Sequence, residues 1–185
     1  MAFPPIGALR ESFDYDPATG EVTWRERPAH HFNSPKLAAY INRRFAGTPA
    51  LSVPCTKQGH LQGHLTVAGV RYRLLRHRVI WALVHGVAPR GDVDHAGNVA
   101  TDNRDSGLRL ATRGQNTRNS VRRKPGLKGA YRMPNGRYVS KAWQNGQVVY
   151  LGVFDTAEEA HAAWCAANAQ IAGAFFNPGY ASVFD

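Results

Sequence analysis

The sequence predicts an α+β protein, and three observations carry that prediction. Apolar residues alternate along short stretches that are separated by turn residues, as in Leu65, Val67, Val70, Tyr72 and Leu74 around Ala68-Gly69. Val79, Ile80, Leu83 and Val84 recur instead at helical spacing. Two capping boxes, Thr112 with Gln115 and Thr156 with Glu159, mark helix starts.

In chain order, Phe13 to Trp24 reads as a hairpin closed by Asp16-Pro17-Ala18-Thr19-Gly20. Residues 25 to 58 have no clear period apart from a short helix near Leu37 to Ile41. A second hairpin spans the alternation around Ala68-Gly69, and a helix from His77 to His85 stops at Gly86, a natural left-handed position. Val93-Asp94-His95 reads as a short strand, a polar loop follows, and Leu108 to Ala111 returns as its partner. The helix that opens at Thr112 has Asn116 in its first turn. Three further strands, in Gly129–Met133, Arg137–Trp143 and Val148–Phe154, are divided by Pro134-Asn135-Gly136 and Asn145-Gly146. After them Ala160, Ala163, Trp164, Ala167 and Ile171 form one apolar helical face, so the chain closes as a three-stranded antiparallel sheet packed on one helix.

The chain has 185 residues, 43% of them hydrophobic, enough for a sizeable core. Twenty-three Lys and Arg against thirteen Asp and Glu leave a formal charge of +10, so the expected partner is a polyanion, double-stranded DNA before a membrane surface. No apolar run is long enough to span a bilayer, and Met1 to Arg10 is too short and Pro-rich for a signal peptide, so a cytoplasmic protein without membrane attachment is expected. Cys55 and Cys165 stand apart and form neither a zinc-binding pair nor a disulfide framework. The bases are unevenly placed. Arg113, Arg118, Arg122, Arg123 and Lys124 form a run suited to following a phosphate backbone. Beyond it, Lys128, Arg132, Arg137 and Lys141 lie before residue 150 and the acids Asp155, Glu158, Glu159 and Asp185 after it.

Asp94, His95 and Asn116 bring chemistry. A carboxylate and an amide oxygen are hard ligands suited to Mg²⁺ or Mn²⁺, and an imidazole is poised to take a proton from an attacking water near neutral pH. On spacing alone, a histidine satisfied in the core is the commoner use of an Asp-His pair.

The surrounding residues are more specific. His77-Arg78-Val79-Ile80-Trp81, Val93-Asp94-His95-Ala96-Gly97-Asn98, Thr101-Asp102-Asn103-Arg104, Leu108-Arg109-Leu110-Ala111-Thr112 and Gln115-Asn116 resemble, in that order and at those gaps, the HNH endonucleases of phage and homing type. The resemblance covers roughly 64 to 119, and Tyr15 to Trp24 looks like the leader that often precedes such a domain. Gly129-Ala130-Tyr131-Arg132, Gly136 to Ser140, Tyr150 to Ala160 and Ala172 to Asn177 look like the Apetala-two type of DNA-binding domain of plant ethylene-response factors.

These resemblances imply three parts: a leader of hairpin and irregular chain over 1–58, a ββα-metal (HNH) nuclease domain over 59–124, and a DNA-binding domain over 125–185. They imply that Asp94 and Asn116 hold one divalent cation, Mg²⁺ or Mn²⁺, and that His95 is the general base of phosphodiester hydrolysis. The family's middle Asn falls where this chain has Gly107, which has no side chain to orient the histidine, and Asn103 is a possible substitute. Restoring the amide by Gly107→Asn is accordingly expected to raise the cleavage rate. The same glycine admits the alternative of a DNA-binding protein with weak or no catalysis. Arg132, Arg137, Lys141 and Trp143 are expected to face DNA from the closing sheet, with Arg104 and Arg109 adding to the basic run, in a protein expected to act as a monomer.

Overall fold

The computed structural model describes residues 3–120, 126–144 and 146–178. The chain divides into two compact units, Met1–Ala111 and Thr112–Asp185.

The first unit opens with α1 (Ile6–Ser12), which buries Ala8, Leu9 and Ser12 and runs directly into β1 (Phe13–Asp16). Its antiparallel partner is β2 (Glu21–Trp24), with Phe13 opposite Trp24 and Asp16 opposite Glu21. The Asp16 carboxylate closes the turn by accepting from the Ala18 amide and the Thr19 hydroxyl, both at 2.9 Å. A 3-10 turn at Ala29–His31 leads to α2 (Pro35–Phe45), where the Ser34 hydroxyl accepts from the Leu37 amide and Pro35 takes the first helical position. This helix outruns the expected Leu37–Ile41 at both ends. Of its residues only Ala38 is buried, while Leu37, Ile41 and Phe45 recur at helical spacing and line a cleft with Trp24 and Phe32.

Strands β3 (Val53–Pro54), β4 (Leu61–Val67) and β5 (Val70–Leu75) form an antiparallel sheet in that order. Helix α3 (Arg76–His85) follows without a break and ends at Gly86, whose φ is +70°. Two arginines of α3 tie distant backbone to it. Arg76 donates to the carbonyls of Leu51 and Ala50, and Arg78 to those of Gly91 and Pro89, which holds the approach to β6 (Asp92–His95). Strand β7 (Leu108–Ala111) pairs with β6, setting Asp94 opposite Arg109 and His95 opposite Leu108.

One core joins α1, β1, β2, β4, β5, α3, β6 and β7: Leu9, Phe13, Val22, Leu65, Leu74, Val79, Ile80, Val93 and Leu108 belong to a single buried cluster. The leader over 1–58 therefore packs in the same unit as the strands that follow it, and the compact division falls at 111/112 rather than at 58/59 and 124/125.

The second unit begins with α4 (Arg113–Asn119), opened by the Thr112–Gln115 capping box with both reciprocal hydrogen bonds made. Strands β8 (Ala130–Arg132), β9 (Tyr138–Gln144) and β10 (Gln147–Phe154) form an antiparallel sheet in the order β10-β9-β8. Helix α5 (Ala157–Ala172), opened by the Thr156–Glu159 capping box, packs against all three strands. A Cβ at Gly129, where φ is +80°, would lie 2.0 Å from the Trp164 ring, so only glycine allows the chain to pass this close to α5. The buried face of α5 is Ala160, His161, Trp164, Asn168 and Ala172, not the all-apolar set expected. Two polar residues fit there because His161 Nδ1 bonds the Lys128 carbonyl at 2.6 Å and Asn168 Nδ2 donates to the Trp164 carbonyl at 2.9 Å. Among the described residues no helix is long and apolar enough to cross a membrane.

Candidate active site and nucleic-acid surface

Three successive residues of β6, Val93, Asp94 and His95, are buried. Asp94 and His95 are each 6% exposed, an unusual place for two ionisable side chains unless they are paired. The cross-strand register supplies one pairing: Arg109 Nε donates to Asp94 Oδ2 at 3.0 Å, with only a fifth of the Arg109 side chain exposed. Arg109 is thus committed to the site carboxylate rather than presented to solvent.

His95 is held by two kinds of contact. Its ring hydrogen-bonds the side chain of Asn103, which is 2% exposed. Asn103 Nδ2 donates to the Thr101 carbonyl at 3.1 Å, which leaves its Oδ1 to accept from the imidazole. His60 and His77 then stack edge to face around the ring, with all three centroids 5.1 to 5.5 Å apart. Burial, and the neighbouring His60, hold the His95 imidazolium less favourable than usual, against opposing contributions from Asn103, Asp94 and Asp102. Burial pushes His77 down to about 3, and it lowers His60 in the same direction. The cluster is therefore neutral near pH 7, the state in which an imidazole accepts a proton.

Gly107 stands apart from the imidazole. A Cβ built there meets only the Asp102 carboxylate, at 3.7 Å, and its carbonyl accepts from the Ala96 amide at 2.9 Å. The amide that bonds the histidine in this chain is that of Asn103.

The polar loop is braced by the leader. Tyr15 Oη accepts from the Asp105 amide at 2.8 Å, and a Cβ at Gly20, where φ is +76°, would lie 2.7 Å from the Asn103 carbonyl carbon. Arg104 is fastened to Asp102 through Nε and Nη2, at 2.8 and 2.7 Å, and these bonds hold the Asp102 carboxyl down at about 2. Arg104 itself remains exposed.

The other expected residues lie in the second unit. Asn116 is in α4, half-buried. Arg113 and Arg118 of α4, with Lys128, Tyr131, Lys141 and Trp143, line a cleft of about 560 Å³. Arg122, Arg123 and Lys124 lie outside the described residues. On the sheet, the register sets Tyr131 opposite Val139, Lys141 opposite Tyr150 and Trp143 opposite Val148. These residues share one face, away from buried Ala130, Ser140 and Ala142, and Tyr131, Trp143 and Tyr150 are more than half exposed. Arg132 pairs with Tyr138 and by alternation points to the opposite side from Lys141 and Trp143. Arg137, just before β9, donates to Asp155 at 2.8 Å. Sequence reasoning missed His60, His77 and Tyr150. His77 and Tyr150 lay within motifs quoted for the resemblances without being assigned a role, and only tertiary packing brings His60 to His77.

Residues 74–118 match the family model of the HNH endonucleases. That span runs from the end of β5 through Asp94, His95 and Asn103 into α4. It supports an HNH nuclease domain and, with it, DNA as the substrate. No curated protein and no solved structure matches the chain.

Proposed function

We propose that this protein is a metal-dependent DNA endonuclease that hydrolyses phosphodiester bonds and is targeted by its own C-terminal unit. The observation that carries this reading is the buried His95, bonded by Asn103 and adjacent to Asp94, inside the span matched by the HNH family. His95 acts as general base, taking a proton from the water that attacks phosphorus. Asn103 fixes the imidazole so that one nitrogen is turned toward its hydrogen bond, and His60 and His77 limit the ring's other orientations. Arg109 orients the Asp94 carboxylate through its Nε hydrogen bond.

Asp94 is a buried hard oxygen donor that fits Mg²⁺ or Mn²⁺ and would hold one such ion, and Asn116 is the amide that the HNH resemblance assigns as its further ligand. Bound there, the ion would supply charge stabilisation for the leaving oxygen.

In the C-terminal unit, the face bearing Tyr131, Lys141, Trp143 and Tyr150 docks on DNA, with Arg113 and Arg118 contacting phosphates and Arg122, Arg123 and Lys124 adding positive charge. Exposed aromatics beside cations on a sheet face suit such a surface better than a solvated exterior. Binding by this unit raises the local DNA concentration at the nuclease site.

Supercoiled plasmid incubated with the protein is nicked or linearised when Mg²⁺ or Mn²⁺ is present and left intact when the ion is chelated. Plasmid that is retarded on a native gel but never cut with either ion identifies a DNA-binding protein without catalysis.

A further inference from the structure

We propose a second metal site, in the first unit and remote in chemistry from the nuclease site: Glu11, His30 and His31 bind a borderline divalent ion of the Zn²⁺ type. Glu11 comes from α1 and the two histidines from the 3-10 turn that precedes α2, so the fold brings the three together across about twenty residues of chain.

Their ligand atoms converge. The Nε2 atoms of both imidazoles face the same oxygen, Glu11 Oε2, at 3.1 Å for His30 and 2.6 Å for His31, and all three atoms lie within 4.8 Å of one another. Zinc bonds of about 2.0–2.1 Å in a tetrahedral arrangement separate neighbouring ligand atoms by about 3.3 Å, so one edge is already near its length. The 2.6 Å edge from His31 needs to widen by about 0.7 Å, within reach of the flexible Glu11 side chain.

The His31 ring is set for ligation from behind. Its side chain is wholly buried, and Nδ1 faces the hydroxyl of Ser12, also fully buried, at 3.4 Å. A hydroxyl on the far nitrogen orients the ring and directs Nε2 at the ion, as partners of metal-bound histidines do. On the opposite side the site is open, since the side chains of His30 and Glu11 are 65% and 41% exposed. An ion can therefore enter and keep at least one water.

Two imidazoles and one carboxylate select Zn²⁺, Co²⁺ or Ni²⁺ over Mg²⁺, whereas the oxygen donors assigned to the nuclease site select the reverse. Bound metal would tie α1 to the 3-10 turn and steady the unit that carries His95. The competing explanation is a proton shared between the imidazoles and Glu11, whose carboxyl the His31 bond already holds below its usual range.

The test uses the full chain, stripped by chelator and held in excess Mg²⁺ so that hard-ligand positions are occupied. Co²⁺ is titrated in and followed by its visible absorption, then displaced by Zn²⁺. One ion per chain is expected, with the intense bands of low-coordinate Co²⁺, and Zn²⁺ should raise the thermal midpoint. His30→Ala, an exposed position that leaves the fold intact, and Glu11→Gln should each weaken Zn²⁺ binding at least tenfold, while Asp94→Ala leaves it unchanged. A Co²⁺ spectrum that stays that of the aqueous ion overturns the proposal, as does wild-type affinity in His30→Ala. Loss of binding in Asp94→Ala would assign the ion to the nuclease site instead.

Discussion

Replacing Asn103 by alanine tests which amide orients the catalytic imidazole. In the wild-type chain Asn103 is buried, accepts from His95 and donates to the Thr101 carbonyl, so truncation removes the imidazole's partner and orphans a carbonyl. Leaving a buried neutral polar group without its partner costs about 1–3 kcal/mol, and at about 1.4 kcal/mol per decade the loss corresponds to roughly a five- to hundredfold slower cleavage. DNA affinity should hardly change, because the bond acts on the chemical step. The companion variant is Gly107→Asn. Its new side chain would point toward Asp102, already engaged by Arg104, so the rate increase expected from motif position alone should not appear. Single-turnover cleavage of a labelled duplex, with circular dichroism to verify folding, measures both. Wild-type rates from a folded Asn103→Ala protein, or a tenfold gain from Gly107→Asn, would refute the reasoning and return the role to position 107.

Further outcomes follow from the same structure. Ile80 is fully buried in the core, so Ile80→Ala should lower unfolding stability by about 2–5 kcal/mol in urea denaturation. Gly20→Ala places a methyl group against the Asn103 backbone at a positive φ; it should cost at least about 1 kcal/mol and slow cleavage together with stability. His77 stays neutral in the fold down to about pH 3, whereas the unfolded chain binds that proton below about 6.5. The unfolded state thus holds more protons in this window, so stability should fall as pH drops from about 6.5 toward 3, by up to about 1.4 kcal/mol per unit. Denaturation midpoints at pH 7 and 5 check this, with a flatter dependence in His77→Gln. Lys141→Ala and Trp143→Ala should each weaken DNA binding in fluorescence anisotropy, only the former reducing the salt dependence.

What the sequence made legible was local. The hairpin turn at Asp16–Gly20, the stop at Gly86 and both capping boxes are written within a few residues, and the structure has them where the pattern puts them. Helix α2 extends beyond Leu37–Ile41, and the signals for that, Ser34-Pro35 at its start and Phe45 at helical spacing from Ile41, are local as well. The inner face of α5 was misassigned because His161 and Asn168 are satisfied by carbonyls of Lys128 and Trp164, pairings with no periodic signature. Charge drew attention to Arg132, but strand alternation gives that face to Tyr131. At the site, Asp94 and His95 were legible as a motif. The bond from Asn103, the ring stack of His60 and His77, and the bracing by Gly20 and Tyr15 depend on segments brought together only by the common core.

The central claim is that His95 is the base of a DNA hydrolase. Cleavage and binding should be measured side by side for wild type and His95→Ala, on one supercoiled plasmid, with Mg²⁺ or Mn²⁺ present. The account predicts that the variant binds DNA as the wild type does while its cleavage rate falls by at least about a hundredfold. Cleavage by folded His95→Ala at the wild-type rate would contradict it.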